Sequence, residues 1–255
     1  LTGAWWFEHT KDIVANHVLG IPDPNVTAAK KCEVFPIEFV VRGFITGSSA
    51  TSLWTVYNNG DREYCGLSFP DGLQKNQRLD TTVLTPTTKE EAHDRPISPA
   101  AIVEEGWMTQ EDWDAASQVA LDLFKRGQET ASRNGLILVD TKYEMGKDSN
   151  GALTLVDEIH TPDSSRYWIE ETFEERFEAG QEPQNVDKEF LRLWFKDNCD
   201  PYGDEVLPAA PRDLVVELSR RYLYLYERIT GEPFPFPVTG EPVQTRMEKN
   251  LSAYI

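Results

Sequence analysis

Residues 136–168 read "LILVDTKYEMGKDSNGALTLVDEIHTPDSSRYW", the pattern of an apolar strand, a turn, a second apolar strand and a polar loop. A strand that packs against a core ordinarily carries few charged side chains. These two strands and the start of the loop nevertheless carry five charged residues: Asp140, Lys142, Glu144, Asp157 and Glu158. We therefore expect this hairpin to hold functional groups as well as part of the core.

The turn predicts how the two strands of the hairpin pair. Asn150–Gly151 is typical of a two-residue type I′ turn, and this turn places Glu144 directly opposite Asp157. Period-2 alternation puts Asp140 and Lys142 on the same face as Glu144. Facing carboxylates repel each other, and a divalent cation such as Mg²⁺ resolves the repulsion. Two alternatives stay open: this face is simply exposed to solvent, or a four-residue loop shifts the register.

Patterns outside the hairpin predict the remaining elements. Thr109 is a candidate N-cap for the clearest helix, whose apolar stripe begins at Trp113 and which Gly135 ends. The succession of strands and helices around one hairpin indicates an α+β fold. The other expected elements are helices at 1–13, 186–198 and 211–230, strands at 30–49, a hairpin at Asn59–Gly60, mostly loop at 71–99 and an extended segment at 231–242.

Composition excludes several classes of protein. The formal net charge is −18 over 255 residues, so the surface as a whole repels nucleic acid and anionic membranes. An anionic small molecule needs a local pocket of Arg, Lys and backbone N–H groups, or a metal ion. The apolar runs are shorter than the ~18 residues that a spanning helix needs. Three widely spaced cysteines argue against a disulfide framework and a zinc site, and favour a reducing compartment.

Several long motifs resemble those of SAICAR synthetases in the longer plant and yeast form. The motifs are "LVDTKYEMG", "LVDEIHTPDSSRYW", "FVVRGFITGSS", "LTPTTKEEAHD" and "VDKEFLRLWF", in the family's order. The resemblance implies a two-lobed α+β fold related to ATP-grasp and protein-kinase cores. It also implies an ATP-dependent ligase that joins L-aspartate to the carboxylate of CAIR, a carboxylated aminoimidazole ribonucleotide.

The resemblance also predicts the domain organisation. Residues 1–99 are expected to form the remainder of the N-terminal lobe with the hinge and the phosphate-binding strand and loop. Residues 100–255 are expected to form the C-terminal α+β lobe with the metal-binding hairpin. In the family a β-rich segment with a glycine-rich loop precedes the helix that begins "LTGAWWF", so we expect an incomplete N-terminal β lobe.

By the same resemblance, Lys142, Glu144 and Asp157 are the catalytic residues. Glu144 and Asp157 are the expected Mg²⁺ ligands, and Lys142 is expected to neutralise ATP phosphate or the CAIR carboxylate. Lys142 and Glu144 also belong to the ATP site, together with Glu33 and Phe35 of the hinge segment "CEVFPIE", whose backbone is expected to pair with adenine. The alternative for Lys142 is an ordinary surface lysine on a strand.

Another set of residues is expected to bind the substrates. Arg42 offers a planar fork of donors, and Gly47 lets the backbone approach a phosphate beside Ser48. The resemblance makes Arg166 a second anion clamp. The remaining expected substrate contacts are Asp163 and Ser164 for ribose or imidazole, and Lys89 and Asp94 for aspartate or nucleotide.

Purely structural alternatives remain for two of these motifs. "RGFITGSS" is also typical of an ordinary glycine turn with an exposed arginine. Asp163 is also placed to cap an Asx-type turn.

Two other functions stay open at this point. A kinase-like phosphotransferase fits the paired carboxylates but gives no reason for two arginine clamps. A non-catalytic binding or assembly subunit fits an incomplete lobe. The sequence favours the cytoplasm, or the plastid stroma if the source is a plant or alga.

Overall fold

The computed structural model describes residues 1–89, 95–201, 203–237, 240–252 and 254. Within these ranges the helices are α1 (Thr2–His9), α2 (Leu53–Asn58), α3 (Pro99–Glu104), α4 (Gln110–Arg133), α5 (Phe173–Glu178), α6 (Glu189–Asn198), α7 (Arg212–Thr230) and α8 (Val243–Leu251). The strands are β1 (Ala15–Asn16), β2 (Val18–Asp23), β3 (Val26–Ala29), β4 (Glu33–Val34), β5 (Ile37–Ile45), β6 (Glu63–Tyr64), β7 (Leu67–Ser68), β8 (Gln77–Leu84), β9 (Thr87–Thr88), β10 (Leu136–Lys147), β11 (Leu153–Val156) and β12 (Ser165–Ile169). The mixture confirms the predicted α+β class.

One large sheet organises the molecule, and β10 is its central strand. The sheet runs in the order β1-β11-β10-β5-β8, and β4 and β12 also pair with β10. Asp140 lies opposite Arg42 of β5 and opposite Arg166 of β12, so three charged side chains meet on adjacent strands. β10 thus joins the two segments that carry the expected anion clamps.

Helix α4 covers one face of this sheet, as its apolar stripe predicts. Thr109 caps the helix by accepting a hydrogen bond from the Asp112 N–H at 3.1 Å. Trp113 and Leu123 are buried in the main core, where Trp113 stacks on Phe39 of β5. Since α4 shields this face of the sheet, the polar residues that point the other way face a cleft.

Some predicted elements are wrong. Asn59–Gly60 ends helix α2, and the nearby hairpin is β6–β7, which turns at Cys65–Gly66 with positive φ at both residues. Residues 77–84, expected to be loop, form β8. This strand is exposed along much of its length, so its sequence is polar and lacks a strand-like apolar pattern. Helix α6 begins at Glu189 instead of 186.

Strands from both sides of the predicted domain boundary share one sheet. β10 follows residue 100, whereas its partners β4 and β5 precede residue 99. The division into residues 1–99 and 100–255 stays a prediction about lobes. No helix in the described part of the chain is both long enough and apolar enough to cross a membrane.

A salt bridge fastens α8 to the β2–β3 hairpin. Arg246 donates from Nε and Nη2 to the two carboxylate oxygens of buried Asp23, at 2.8 and 3.1 Å. Asn250 of the same helix donates to Asp23 at 2.9 Å. The hydrogen bond from Arg246 is the main reason that the pKa of Asp23 falls to about 2.

We expect Arg246→Ala to release α8 and to lower the melting temperature at neutral pH. Because the folded-state pKa of Asp23 is depressed, its stabilising contribution is present above the unfolded value of ~3.9 and disappears as the pH falls towards 2. The gap in melting temperature between wild type and variant should therefore close in acid. Lys249→Ala, at an exposed position of the same helix, is the control. A gap that does not change with pH would contradict this role of Asp23.

Candidate active site

The hairpin between β10 and β11 has a different register from the predicted one. Glu144 lies opposite Val156, one residue away from the expected partner Asp157. The connection is a five-residue loop, 148–152, in which Asp148 Oδ1 accepts hydrogen bonds from the N–H groups of Asn150 and Ala152. The side chain of Asp148 stabilises this longer loop, so the two-residue type I′ turn does not form.

Glu144 and Asp157 nevertheless meet around Lys142. Asp157 follows the end of β11 with a φ of +62°, a conformation that is strained for this residue. Lys142 Nζ lies 2.5 Å from Glu144 Oε1, 3.2 Å from Asp157 Oδ2 and 3.2 Å from Glu38 Oε1. Three carboxylates therefore surround one cation, and Glu38 is one that no sequence pattern predicts.

The charges in this cluster stabilise one another. Burial opposes the charged form of Lys142, but its carboxylate neighbours, led by Glu144, outweigh burial and raise the pKa of Lys142. Burial likewise opposes ionised Glu144, yet hydrogen bonds from Lys142 and Lys89 lower its pKa. Lys142 is thus an ammonium group and Glu144 a carboxylate at neutral pH.

Two arginines share a buried carboxylate at the other end of the same strand face. Asp140 Oδ2 accepts hydrogen bonds from Arg166 Nη1 at 2.6 Å and from Arg42 Nη1 at 3.4 Å. Arg42 Nε also donates to Thr85 at 2.8 Å. Because Asp140 fixes both guanidinium groups, Arg42 and Arg166 form a rigid pair of cations.

The loop after β5 adds a hydroxyl group to this pair. Ser48 Oγ donates to Glu189 Oε1 at 2.6 Å, and Arg166 Nη2 donates to Glu189 Oε2 at 3.2 Å. Gly47 has a φ of +113°, and a Cβ atom there would collide with the side chain of Ser52. Glycine is therefore required here, in keeping with a loop that folds back tightly beside the arginines.

Several of these residues, Glu38, Arg42, Asp140, Lys142 and Arg166, line a cleft of about 220 Å³. Its cationic lining is notable in a chain with a net charge of −18. The five cations are Arg42, Lys142, Arg166, Lys188 and Arg192. Lys188 and Arg192 are not among the residues predicted from the sequence, although both lie in "VDKEFLRLWF". Their separation by four residues, which places two side chains on one face of a helix, is the signal that was available.

The loop "TPDSS" also lines the cleft, and Thr161 holds it in shape. Thr161 Oγ1 accepts hydrogen bonds from the N–H groups of Asp163 and Ser164, each at 3.2 Å. The alternative in which Asp163 itself caps an Asx-type turn is therefore wrong. The Asp163 carboxylate instead lies 3.1 Å from Lys188 Nζ.

Part of the backbone of the hinge segment is hydrogen-bonded within the sheet. β4 pairs with Gly146 and Lys147 of β10, and the N–H of Phe35 donates to the Met145 carbonyl at 2.9 Å. Hence the N–H of Phe35 is already used within the sheet and is unavailable to adenine. The assignment of Glu33 and Phe35 to the ATP site, through other backbone groups, stays a prediction.

The motif "LTPTTKEEAHD" supplies two expected site residues, Lys89 and Asp94, and the structure describes the first of them. Lys89 contacts Glu144, which places it at the lysine–carboxylate end of the cleft. Asp94 lies outside the described residues. Among the described residues, no group of three or more His, Cys, Asp and Glu side chains is arranged to hold a metal ion.

The chain matches known proteins along its whole length. The SAICAR synthetase family model matches residues 1–209. The chain is 62% identical to a phosphoribosylaminoimidazole-succinocarboxamide synthase of Legionella pneumophila (strain Paris), over all of this chain and 82% of that protein. It is 61% identical to the chloroplastic synthase of Arabidopsis thaliana, over 98% of this chain and 61% of that protein.

A solved structure has the same fold. SAICAR synthase from Saccharomyces cerevisiae, complexed with SAICAR, superposes with a TM-score of 0.72 and 28% identity, over 92% of this chain and 80% of that chain. The family model and the sequence identities agree with the motifs and with the cleft. The chain belongs to the SAICAR synthetase family, the ATP-dependent ligases that join L-aspartate to the carboxylate of CAIR.

Proposed function

We propose that the cleft binds ATP and CAIR at opposite ends of one strand face. The single observation that carries this proposal is the placement of Asp140, Lys142 and Glu144 at alternate positions of β10. Asp140 orients two arginines at one end, and Glu144 shares Lys142 with Asp157 at the other end. The first end suits the phosphate of a ribonucleotide and the second suits ATP.

The ribonucleotide end is built for a planar anion clamp. Arg42 and Arg166 present fixed guanidinium forks, and charge-assisted hydrogen bonds from such forks are strong and directional. Gly47 and Ser48 bring backbone and hydroxyl groups beside the forks. We assign Asp163 and Ser164 to the ribose or imidazole because their loop lines the same cleft. Lys188 and Arg192 add positive charge around the phosphate.

The ATP end is built for phosphoryl transfer to a carboxylate. In the proposed reaction a CAIR carboxylate oxygen attacks the γ-phosphorus of ATP, the bond from that phosphorus to ADP breaks, and an acyl phosphate forms. The aspartate amine then attacks the acyl carbon, loses a proton and releases inorganic phosphate. Lys142 is placed to offset the negative charge where CAIR carboxylate and ATP phosphate meet. Lys89 and Asp94 are proposed to lie near aspartate or nucleotide.

The proposed metal is Mg²⁺, with Glu144 and Asp157 as its ligands. Mg²⁺ characteristically takes one or two protein carboxylates and completes its shell with water and substrate phosphates. Two carboxylates that already converge on a cation fit that description. The ion would supply charge stabilisation for the transferred phosphoryl group.

The other proposed functions are less well supported. A phosphotransferase acting on another acceptor gives no reason for two arginines fixed by one buried carboxylate.

The location of the reaction within the cell also belongs to the proposal. It is the cytoplasm, or the plastid stroma for a plant or algal source.

Arg42→Lys tests the ribonucleotide end. Lysine keeps the charge but loses the fork, so we expect CAIR binding to weaken by about 1–3 kcal/mol while ATP affinity stays nearly constant. Calorimetric titration of each ligand separately measures both effects. Arg126→Lys, which alters an exposed salt bridge to Asp12, is the matched control. A loss confined to ATP would mean that the two ends of the cleft are assigned the wrong way round.

A further inference from the structure

Asp187 is a buried carboxylate that makes two backbone hydrogen bonds beside the cleft. Its exposed fraction is 1%. Oδ2 accepts from the N–H of Tyr167 in β12 at 2.8 Å, and Oδ1 accepts from the N–H of Glu189 in the first turn of α6 at 2.7 Å. The residue at the N-cap of α6, Lys188, makes no side-chain cap hydrogen bond, so Asp187 provides the capping interaction.

The next two residues connect this anchor to the cleft. The N–H of Lys188 donates to the Pro162 carbonyl at 3.2 Å, and its ammonium group lies 3.1 Å from Asp163. Glu189 holds both Ser48 and Arg166, as described above. The segment 187–189 therefore contacts the loop after β5, the "TPDSS" loop and β12. These are the three pieces that surround the ribonucleotide end of the cleft.

Fold stability alone does not explain a carboxylate at the buried position 187. Desolvation raises the pKa of Asp187 to about 7, although both backbone hydrogen bonds favour the ionised form. Burying a carboxylate is costly, and polar groups buried at such cost concentrate at functional sites. Tyr167 is adjacent in sequence to Arg166, and Glu189 is a hydrogen-bond partner of Arg166. Movement of either anchored N–H would displace that guanidinium group or its partner.

We propose that Asp187 is a positioning residue for ribonucleotide binding, because it ties β12 to the start of α6 and so fixes where Glu189 holds Ser48 and Arg166. The proposal rests on the assignment of the arginine pair to the ribonucleotide phosphate. Asp187 acts through backbone groups and through Glu189, without contact to the ligand. Its effect should therefore be specific to the ribonucleotide and should depend on Ser48.

Asp187→Asn is the primary test, with the product SAICAR and ADP as probes in separate calorimetric titrations. Asparagine has the same shape but replaces one acceptor oxygen with a donor, so one of the two N–H groups loses its partner. Small misplacements of positioning groups have large effects, and we expect the Kd for SAICAR to rise about 10- to 100-fold. The Kd for ADP should stay within about twofold, the scale of independent sites. Asp197→Asn, an exposed change on the same helix, should alter neither value.

A double-mutant cycle separates positioning from general loss of stability. In a Ser48→Ala background the Ser48–Glu189 hydrogen bond is already absent, so Asp187→Asn should have a smaller effect on SAICAR affinity than in wild type. Equal losses for SAICAR and ADP, or effects that simply add, would overturn the proposal. If Asp187→Asn does not fold, Asp187→Glu, which keeps the carboxylate but changes its reach, takes its place in the same cycle with Ser48→Ala, and additive effects there would overturn the proposal equally.

The Arg42→Lys titration distinguishes failure of the arginine-pair assignment from failure of the role of Asp187. If Arg42→Lys leaves SAICAR affinity unchanged, the assignment of the arginine pair fails. If Arg42→Lys weakens SAICAR binding and Asp187→Asn does not, the assignment stands and the positioning role of Asp187 is wrong.

Discussion

Replacing Asp157 with asparagine should stop turnover while the protein stays folded. The variant loses one of the two carboxylates that are proposed to hold Mg²⁺, and a metal ion contributes several kcal/mol of charge stabilisation to phosphoryl transfer. We therefore expect the turnover rate to fall by at least about 10³-fold. Asp157 is about half exposed, so its replacement should have little effect on the free energy of unfolding.

A matched variant and a metal titration make this result specific. Asp80→Asn removes an exposed carboxylate from β8 and should behave as wild type. Activity is measured as SAICAR formed over a range of Mg²⁺ concentrations, and SAICAR affinity should be retained. Near-normal activity of Asp157→Asn at limiting Mg²⁺ would show that Asp157 is not a ligand.

Arg166→Ala should weaken ribonucleotide binding and also destabilise the fold. The side chain of Arg166 is 14% exposed, and its partners Asp140 and Glu189 are 6% and 8% exposed. Removing one member of a buried ion pair leaves uncompensated charge, which typically costs about 3–5 kcal/mol. Urea denaturation measures this loss, and SAICAR titration below the unfolding transition measures binding.

Arg192→Ala is the informative comparison for Arg166. Arg192 lines the same cleft, but its side chain is 49% exposed and lies 3.7 Å from Glu189. Its removal should weaken SAICAR binding with a loss of stability of only ~0–1 kcal/mol. Equal losses of stability in the two variants would contradict the view that burial distinguishes these arginines.

Local patterns predicted the parts of the fold that local physics controls. The apolar stripe and N-cap of α4 were correct because a helix that covers a sheet must bury one face and satisfy its first N–H groups. The α+β class and the central hairpin followed from the same reasoning. The edge strand β8 was missed because exposure removes the apolar alternation that identifies a strand.

The geometry of the site depended on information that strand patterns do not contain. The predicted register failed by one residue because Asp148 stabilises a five-residue loop, a side-chain effect that the Asn-Gly signal conceals. Asp157 still reaches Lys142 because its positive φ redirects the chain. Glu38 and Glu189 were missed because their roles come from contacts between residues distant in sequence.

Anomalous diffraction from crystals grown with ADP, Mn²⁺ and SAICAR tests the central claim most directly. Mn²⁺ replaces Mg²⁺ at oxygen-ligand sites and identifies itself by its anomalous signal. We expect a Mn²⁺ peak coordinated by Glu144 and Asp157, and the SAICAR phosphate between Arg42 and Arg166. A metal peak away from both carboxylates, or the SAICAR phosphate at the Lys142 end, would contradict it.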